Sequence, residues 1–278
     1  MSSTNTMQMP VRVPDFKERK LRGEKIAILT AYDATMARLL DRAGVDALLV
    51  GDSVGMVVLG HETTIPVTLD DMVHHTRAVS RGARRALVIA DMPFLTYQVS
   101  SSEAVRNAGR LIQEGGAAAV KVEGGRAVVD VVKRLVDVGI PVMGHLGLLP
   151  QSVHKAGGFR RQATRPDEAD TLIADAHALE EAGAFAIVIE SVPPDVARLA
   201  TAHVTIPTIG IGAGPHCDGQ VLVSHDILGL FDGPVPTFVQ QYAHLADTIV
   251  AAGRAYVEDV RSARYPKSRQ ETAATRTT

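Results

Sequence analysis

One after another, short apolar runs in this 278-residue chain stop at residues that can do chemistry. ALLVGDS ends on Asp52 and Ser53, ALVIADMP reaches Asp91, AAVKVEGG carries Lys121 and Glu123, PVMGHLGL carries His145, and FAIVIES ends on Glu190 and Ser191. Asp91 poses the question most sharply. Five apolar residues, Ala86 to Ala90, lead into it, and Pro93 ends any continuing strand. An unpaired carboxylate buried there would cost several kcal/mol or take up a proton. Carboxylates gathered within a few Å raise one another's pKa, and a divalent cation is the simplest compensation. The candidate ligands are oxygen donors and no His/Cys cluster stands at zinc spacing, so Mg²⁺ is favoured over Zn²⁺. Mg²⁺ keeps positions open for a chelating substrate, and a 2-oxo acid offers a keto oxygen and a carboxylate. Lys121 would supply a positive charge for that carboxylate.

These residues need elements that bring them to one place. The remaining runs of the same kind are KIAILTAYD, PTIGIGAG and QVLVSHD, the last read as ending in His225 and Asp226, which makes eight candidate strands. Helical stretches and small-residue breaks separate them, as in DRAGVDALLV, QEGGAAAVKV and EEAGAFAIVI. Apolar strands alternating with helices imply a parallel sheet covered on both faces, and eight repeats in this length favour closure into a single (β/α)₈ TIM-type barrel. An open doubly wound sheet is the alternative, weakened by the absence of GxGxxG and P-loop motifs. In a barrel of this type the active site lies at the carboxyl ends of the strands. Acidic residues finish five of the eight runs, so they point to one mouth.

Residues 1–24 read as a polar lead and a capping helix, 25–265 as the barrel domain, and 266–278 as a polar, flexible tail. VPTFVQQYAHLADTIVAAGRAYVEDV reads as one long amphipathic helix. Plainer roles stand beside the chemical ones. Asp33 suits an N-cap and is set aside. Glu123, followed by two glycines, equally suits a solvated turn with Lys121 as its surface partner, and His145 suits a polar residue under a loop. The glycines of GIGAGP suit a strand-end turn as well as an anion cradle, and His74 and His75 suit a helix surface. A net charge of −2 without a basic stripe argues against nucleic acid as a partner. One cysteine, Cys217, a polar start and no apolar run of roughly 18 residues point to a soluble cytoplasmic protein without a membrane span.

The stretches LTAYDATMARLL, LLVGDSVGMVVLGHETTIPVTLDDMVHHTRAVSRGA, IADMPF, VKVEGG, GHLGLLPQSVHKAGGF, IVIESVP and IGIGAGPHCDGQVLVSHDILGLF together resemble the ketopantoate hydroxymethyltransferase family. The resemblance runs from about residue 25 to residue 240. It implies a barrel of the phosphoenolpyruvate mutase/isocitrate lyase-like kind. It also implies transfer of a one-carbon unit from 5,10-methylenetetrahydrofolate to 3-methyl-2-oxobutanoate, giving 2-dehydropantoate in pantothenate biosynthesis through a Mg²⁺-stabilised enolate. By the same resemblance Asp52 and Asp91 are Mg²⁺ ligands and Glu123 completes the metal environment. Ser53 and Lys121 hold the oxo acid with Asp52 and Asp91, Glu190 is the general base, and His145 is a substrate-pocket residue. The family forms large homo-oligomers, homodecamers among them. The chain departs from the family at RRQATRPDEAD, where something nearer Val-Gln-Gly-Arg is expected, which alters the loop at 160–166. The lyases of the wider superfamily use a cysteine in a KKCGH-like loop that has no counterpart here, since Cys217 lies in GPHCDG.

Overall fold

The computed structural model describes residues 9–231 and 233–266. Its eight strands are β1 (Ile26–Thr30), β2 (Ala47–Val50), β3 (Leu87–Asp91), β4 (Ala119–Glu123), β5 (Val142–Gly147), β6 (Ala186–Glu190), β7 (Thr208–Ile211) and β8 (Gly219–Leu222). They pair in chain order, all parallel, and β8 closes on β1. The closed barrel expected from the repeat is what forms, and the open sheet is excluded. The connecting helices follow their local signals. Asp33 caps the helix Ala34–Ala43, its Oδ1 accepting from the backbone N–H of Thr35 at 2.7 Å and of Met36 at 2.9 Å.

Two apolar layers hold the barrel. Ile26, Ile28, Ala47, Leu49, Leu87, Ile89, Ala119, Met143, Ala186, Val188, Ile209 and Val221 form one buried cluster that fills its interior. Leu48, Val88, Ala90, Val120, Val122, Val142, Ile187 and Ile189 belong to another, packed against the helices. Successive residues of a strand face opposite ways, so the interior set fixes what comes next. Leu87 and Ile89 face inward, and therefore so does Asp91. Ala119 leads to Lys121 and Glu123, Met143 to His145, and Ala186 and Val188 to Glu190. At the other end Phe16, on the helix Val13–Arg22, is fully buried and meets Phe185 edge to face at 5.4 Å between ring centroids. This helix thus packs its Phe16 into the interior cluster at the amino-terminal end of the barrel.

By its contacts the chain divides into two compact units, one up to Ser224 and one from His225, a division inside the 25–265 span expected for the barrel domain. All eight strands lie in the first unit. Two expectations need correction. His225 and Asp226 do not end a strand, because β8 stops at Leu222 and they stand in the helical turn Ser224–Ile227. The carboxy-terminal helix runs only from Leu245 to Arg261. The stretch from Val235 is not helical, since Pro234 and Pro236 disfavour helix at and before their positions. The expected tail at 266–278 lies outside the described residues except for Pro266, as do the first eight residues of the expected lead. Among the described residues, no helix is long and apolar enough to cross a membrane.

Candidate active site

Strand register sets the expected residues level with one another. Asp91 on β3 pairs with Lys121 on β4, Glu123 with His145 on β5, and Gly147 with Glu190 on β6. Five inward side chains from four neighbouring strands therefore meet at the carboxyl mouth. Asp52 and Ser53 arrive differently. They lie past the end of β2, in a turn closed by the Val54 N–H donating to the Gly51 carbonyl at 3.0 Å. The Asp52 N–H donates to Asp91 Oδ2 at 3.1 Å, which ties the turn to β3. Ser53 Oγ stands 2.8 Å from the Tyr32 hydroxyl.

Lys121 is the hub. Its Nζ lies 3.3 Å from Asp91 Oδ1, 3.7 Å from Glu123 Oε1 and 3.1 Å from His145 Nδ1. Of these three the His145 contact is a hydrogen bond, whereas Asp91 Oδ1 and Glu123 Oε1 are ion-pair neighbours without one, so an ammonium with three N–H donors keeps capacity for a further acceptor. Burial alone would lower the Lys121 pKa, but Asp91, Glu123, Asp52 and Glu190 outweigh it and raise the value, so Lys121 stays charged.

His145 Nε2 stands 3.1 Å from Glu190 Oε2, in ion-pair range although off the line of a well-formed hydrogen bond. Burial and Lys121 favour the neutral ring, and the carboxylates of Glu123 and Glu190 override them to raise its pKa. Nδ1 has the Lys121 ammonium at 3.1 Å and Glu123 Oε1 at 3.4 Å beside it, and in the charged ring Nε2 carries a hydrogen facing Glu190.

The carboxylates sort into two kinds. Burial pushes the Asp52 pKa well up, reinforced by Asp91 and Glu123, and burial also raises that of Asp91 against the pull of Lys121. For Glu123 burial acts the same way but is overcome by His145, Lys121 and the Gln151 N–H, and its pKa falls. Glu123 Oε2 accepts from Gln151 N–H at 3.0 Å, while its Oε1, like Asp91 Oδ1, is enclosed without a hydrogen bond. The solvated turn considered for it is excluded, since it is 5% exposed, and so is the surface pair, since Lys121 is 4% exposed. The Glu190 side chain is the open one, 18% exposed against 4% for Asp91 and 3% for Glu123.

A hard cation fits Asp52 and Asp91. Both are oxygen donors whose ionised forms are disfavoured by burial and by each other or Glu123, and Asp91 Oδ1 is enclosed without a hydrogen bond. Among the described residues, no group of three His, Cys, Asp or Glu side chains is arranged to hold a metal ion. A two-carboxylate site completed by water and substrate is what this geometry allows, and it suits Mg²⁺.

Two residues had no place among the chemical candidates. Tyr97, 1% exposed, donates its hydroxyl to Gln151 Oε1 at 2.8 Å and accepts from Glu123 N–H at 3.0 Å. Gln151, 5% exposed, donates through Nε2 to Asp52 Oδ2 at 2.9 Å. The available signal was position alone: both follow closely on strands that end in site residues, Tyr97 six residues after Asp91 and Gln151 six after His145. His75 is no ligand to this site, its Nδ1 lying 2.7 Å from the Tyr32 carbonyl, and His74 is exposed.

The ketopantoate hydroxymethyltransferase family model matches residues 10–268. A 3-methyl-2-oxobutanoate hydroxymethyltransferase of Moorella thermoacetica is 59% identical over 256 residues, covering 92% of this chain and 95% of its own. The enzyme of the same name from Syntrophus aciditrophicus is 54% identical over 264 residues, covering 95% and 97%. Among solved structures, phosphonopyruvate hydrolase matches with a TM-score of 0.62 at 13% identity, covering 94% of this chain and 93% of that one. 2,3-Dimethylmalate lyase, a PEP mutase/isocitrate lyase superfamily member, matches at 0.59 and 17% identity, covering 95% and 94%. At such identities these two speak for the fold alone, which is the expected barrel kind. The hydroxymethyltransferase matches span nearly the whole sequence, and the chain belongs to the ketopantoate hydroxymethyltransferase family of transferases.

Proposed function

We propose that the chain moves the one-carbon unit of 5,10-methylenetetrahydrofolate onto C3 of 3-methyl-2-oxobutanoate, giving 2-dehydropantoate for pantothenate and coenzyme A biosynthesis. The observation that carries the reading is the charge balance of the mouth, where Asp52, Asp91, Glu123 and Glu190 face one ammonium and one imidazole. Such a site is built to receive a cation and a chelating acid. The oxo acid is supported by the names of the relatives, and the folate donor by the family resemblance.

Asp52 and Asp91 would hold Mg²⁺, with Glu123 completing the surroundings of the ion. When bound, the ion supplies Lewis acidity at the keto oxygen of the substrate, where negative charge develops. Lys121 orients the substrate carboxylate with the donor that otherwise reaches 3.7 Å to Glu123. Ser53, kept in place by Tyr32, offers a hydroxyl at the same rim. Glu190, the most open of the carboxylates measured against its neighbours, takes the C3 proton and leaves that carbon nucleophilic toward the folate-borne methylene, with water supplying the hydroxyl oxygen as the bond to tetrahydrofolate breaks. His145 Nε2 stands 3.1 Å from Glu190 Oε2, which sets the ring beside one oxygen of that carboxylate. We read the enzyme as cytoplasmic and homo-oligomeric, a homodecamer by the family resemblance.

The test is exchange of the C3 proton of 3-methyl-2-oxobutanoate into deuterium oxide, followed by NMR with and without Mg²⁺ and without folate. The intact chain is expected to exchange only with the metal. Glu190→Gln and Asp91→Ala are each expected to slow exchange at least a hundredfold, in the range for loss of a general base or of a metal ligand. Undiminished exchange in either variant would remove the role assigned to that residue.

A further inference from the structure

The Gln151 side chain has every hydrogen-bonding position filled. Nε2 donates to Asp52 Oδ2 and to the Met92 carbonyl, each at 2.9 Å. Oε1 accepts from the Tyr97 hydroxyl at 2.8 Å and from Gln98 Nε2 at 3.2 Å. Two donors and two lone pairs are all that an amide offers. The same residue's backbone N–H donates to Glu123 Oε2 at 3.0 Å. Rotating the amide by half a turn would set its oxygen against the Asp52 carboxylate and the Met92 carbonyl and its NH₂ against that of Gln98, while the Tyr97 hydroxyl, also 3.1 Å from the Glu123 carbonyl, could serve either orientation. One orientation is therefore enforced. Tyr97 is fixed in turn, because its hydroxyl accepts from Glu123 N–H on β4.

We propose that Gln151, locked by Tyr97, is a positioning residue that commits Asp52 Oδ2 to the protein and leaves ligand chemistry to Oδ1. Asp52 needs such a hold. It lies beyond the end of β2, so no strand pairing fixes it as pairing fixes Asp91. Its backbone is tied through the Asp52 N–H to Asp91, but its carboxylate is aimed by Gln151. Because Gln151 grips Asp52 with its side chain and Glu123 with its backbone, the segment after β5 joins both sides of the mouth. A neutral amide does this without adding charge, so the site keeps its appetite for a cation.

The inference rests on the two-carboxylate Mg²⁺ reading above, and the experiment separates the two. Mn²⁺ serves as the probe, with its affinity for the substrate-free chain measured by electron paramagnetic resonance beside the proton exchange. Gln151→Met keeps the length and removes every side-chain hydrogen bond. It is expected to bind Mn²⁺ at least about tenfold more weakly, the range for residues that orient metal ligands, with exchange restored in part by excess metal. Tyr97→Phe keeps the amide but releases its lock, and a loss of about threefold to tenfold is expected, beside a lower melting temperature because the buried Glu123 N–H loses its acceptor. A purely structural role would lower the melting temperature and leave the metal affinity of the folded chain untouched. Mn²⁺ affinities within twofold of the intact chain in folded Gln151→Met would overturn the inference. If that variant does not fold, the same result in Tyr97→Phe overturns it. Failure of the intact chain to bind Mn²⁺ removes the two-carboxylate reading and the inference with it, whereas normal binding by both variants removes only the inference.

Discussion

Asp91 and Asp52 show what a functional carboxylate costs. Burial disfavours the ionised form of each, and the cation proposed above would compensate. The expected sign is that a neutral isostere stabilises the metal-free protein. Asp52→Asn should raise its melting temperature near pH 7 by a few degrees, on the order of 1 kcal/mol, while metal-dependent exchange is lost. Asparagine can still accept from Gln151 Nε2, so the packing partner is kept. Calorimetry without metal checks this, and a clear fall in melting temperature would show that the Asp52 charge is satisfied by the protein alone. At this scale the sequence was informative because β3, β4, β5 and β6 place polar residues two positions after inward apolar ones. Asp91 follows Ile89, Lys121 follows Ala119, His145 follows Met143 and Glu190 follows Val188. Which face was inward was not legible, since both faces of these strands are apolar.

At the scale of elements, the ends of β5 and β6 must meet closely for Glu190 to reach His145. Gly147 ends β5 with φ +90°, a conformation that favours glycine, and a Cβ there would collide with the Glu190 carbonyl oxygen and crowd Val192. The Leu148 N–H donates to that same carbonyl at 2.9 Å. Ser191, the residue after Glu190, sits at φ 49° and passes its carbonyl to the Gln162 N–H at 2.8 Å. The altered loop at 160–166 is therefore tied beside Glu190, the proposed general base. Gly147→Ala should destabilise by about 2 kcal/mol or more through strain and overlap. Its exchange rate should fall further than the loss of folded protein explains, because the displaced backbone carries Glu190. Proportional losses, measured by thermal denaturation beside exchange, would place the role of Gly147 in folding alone. The strands and their order were legible from repetition, but Gln151 and Tyr97 were not. Both lie outside the strands, where periodicity gives no register, and their partners are 99 and 26 residues away.

At the scale of the molecule, the helix Leu245–Arg261 raises a different demand. It has no buried residue, and Ile249, Val250, Tyr256, Val257 and Val260 are all exposed. Spacings of three, four and seven put them along one side of the helix. An apolar stripe left in water over this length is the usual mark of a surface that another chain covers, which supports the homo-oligomer proposed above. The chain mass is 29.6 kDa, so light scattering after size exclusion should return a multiple of that value at micromolar concentration. Val257→Asp places a charge in the stripe at a position 43% exposed, where it costs the isolated chain little but would be desolvated under a partner. The expected result is a lower mass with the folded helix content retained. A single-chain mass for the intact protein would remove the homo-oligomer reading, and an unchanged multimer for Val257→Asp would place the contact on another face. Exchange measured on the dissociated variant then decides a further point. The proposed site draws Asp52, Asp91, Lys121, Glu123, His145 and Glu190 from the unit that ends at Ser224, so proton abstraction is expected to survive dissociation.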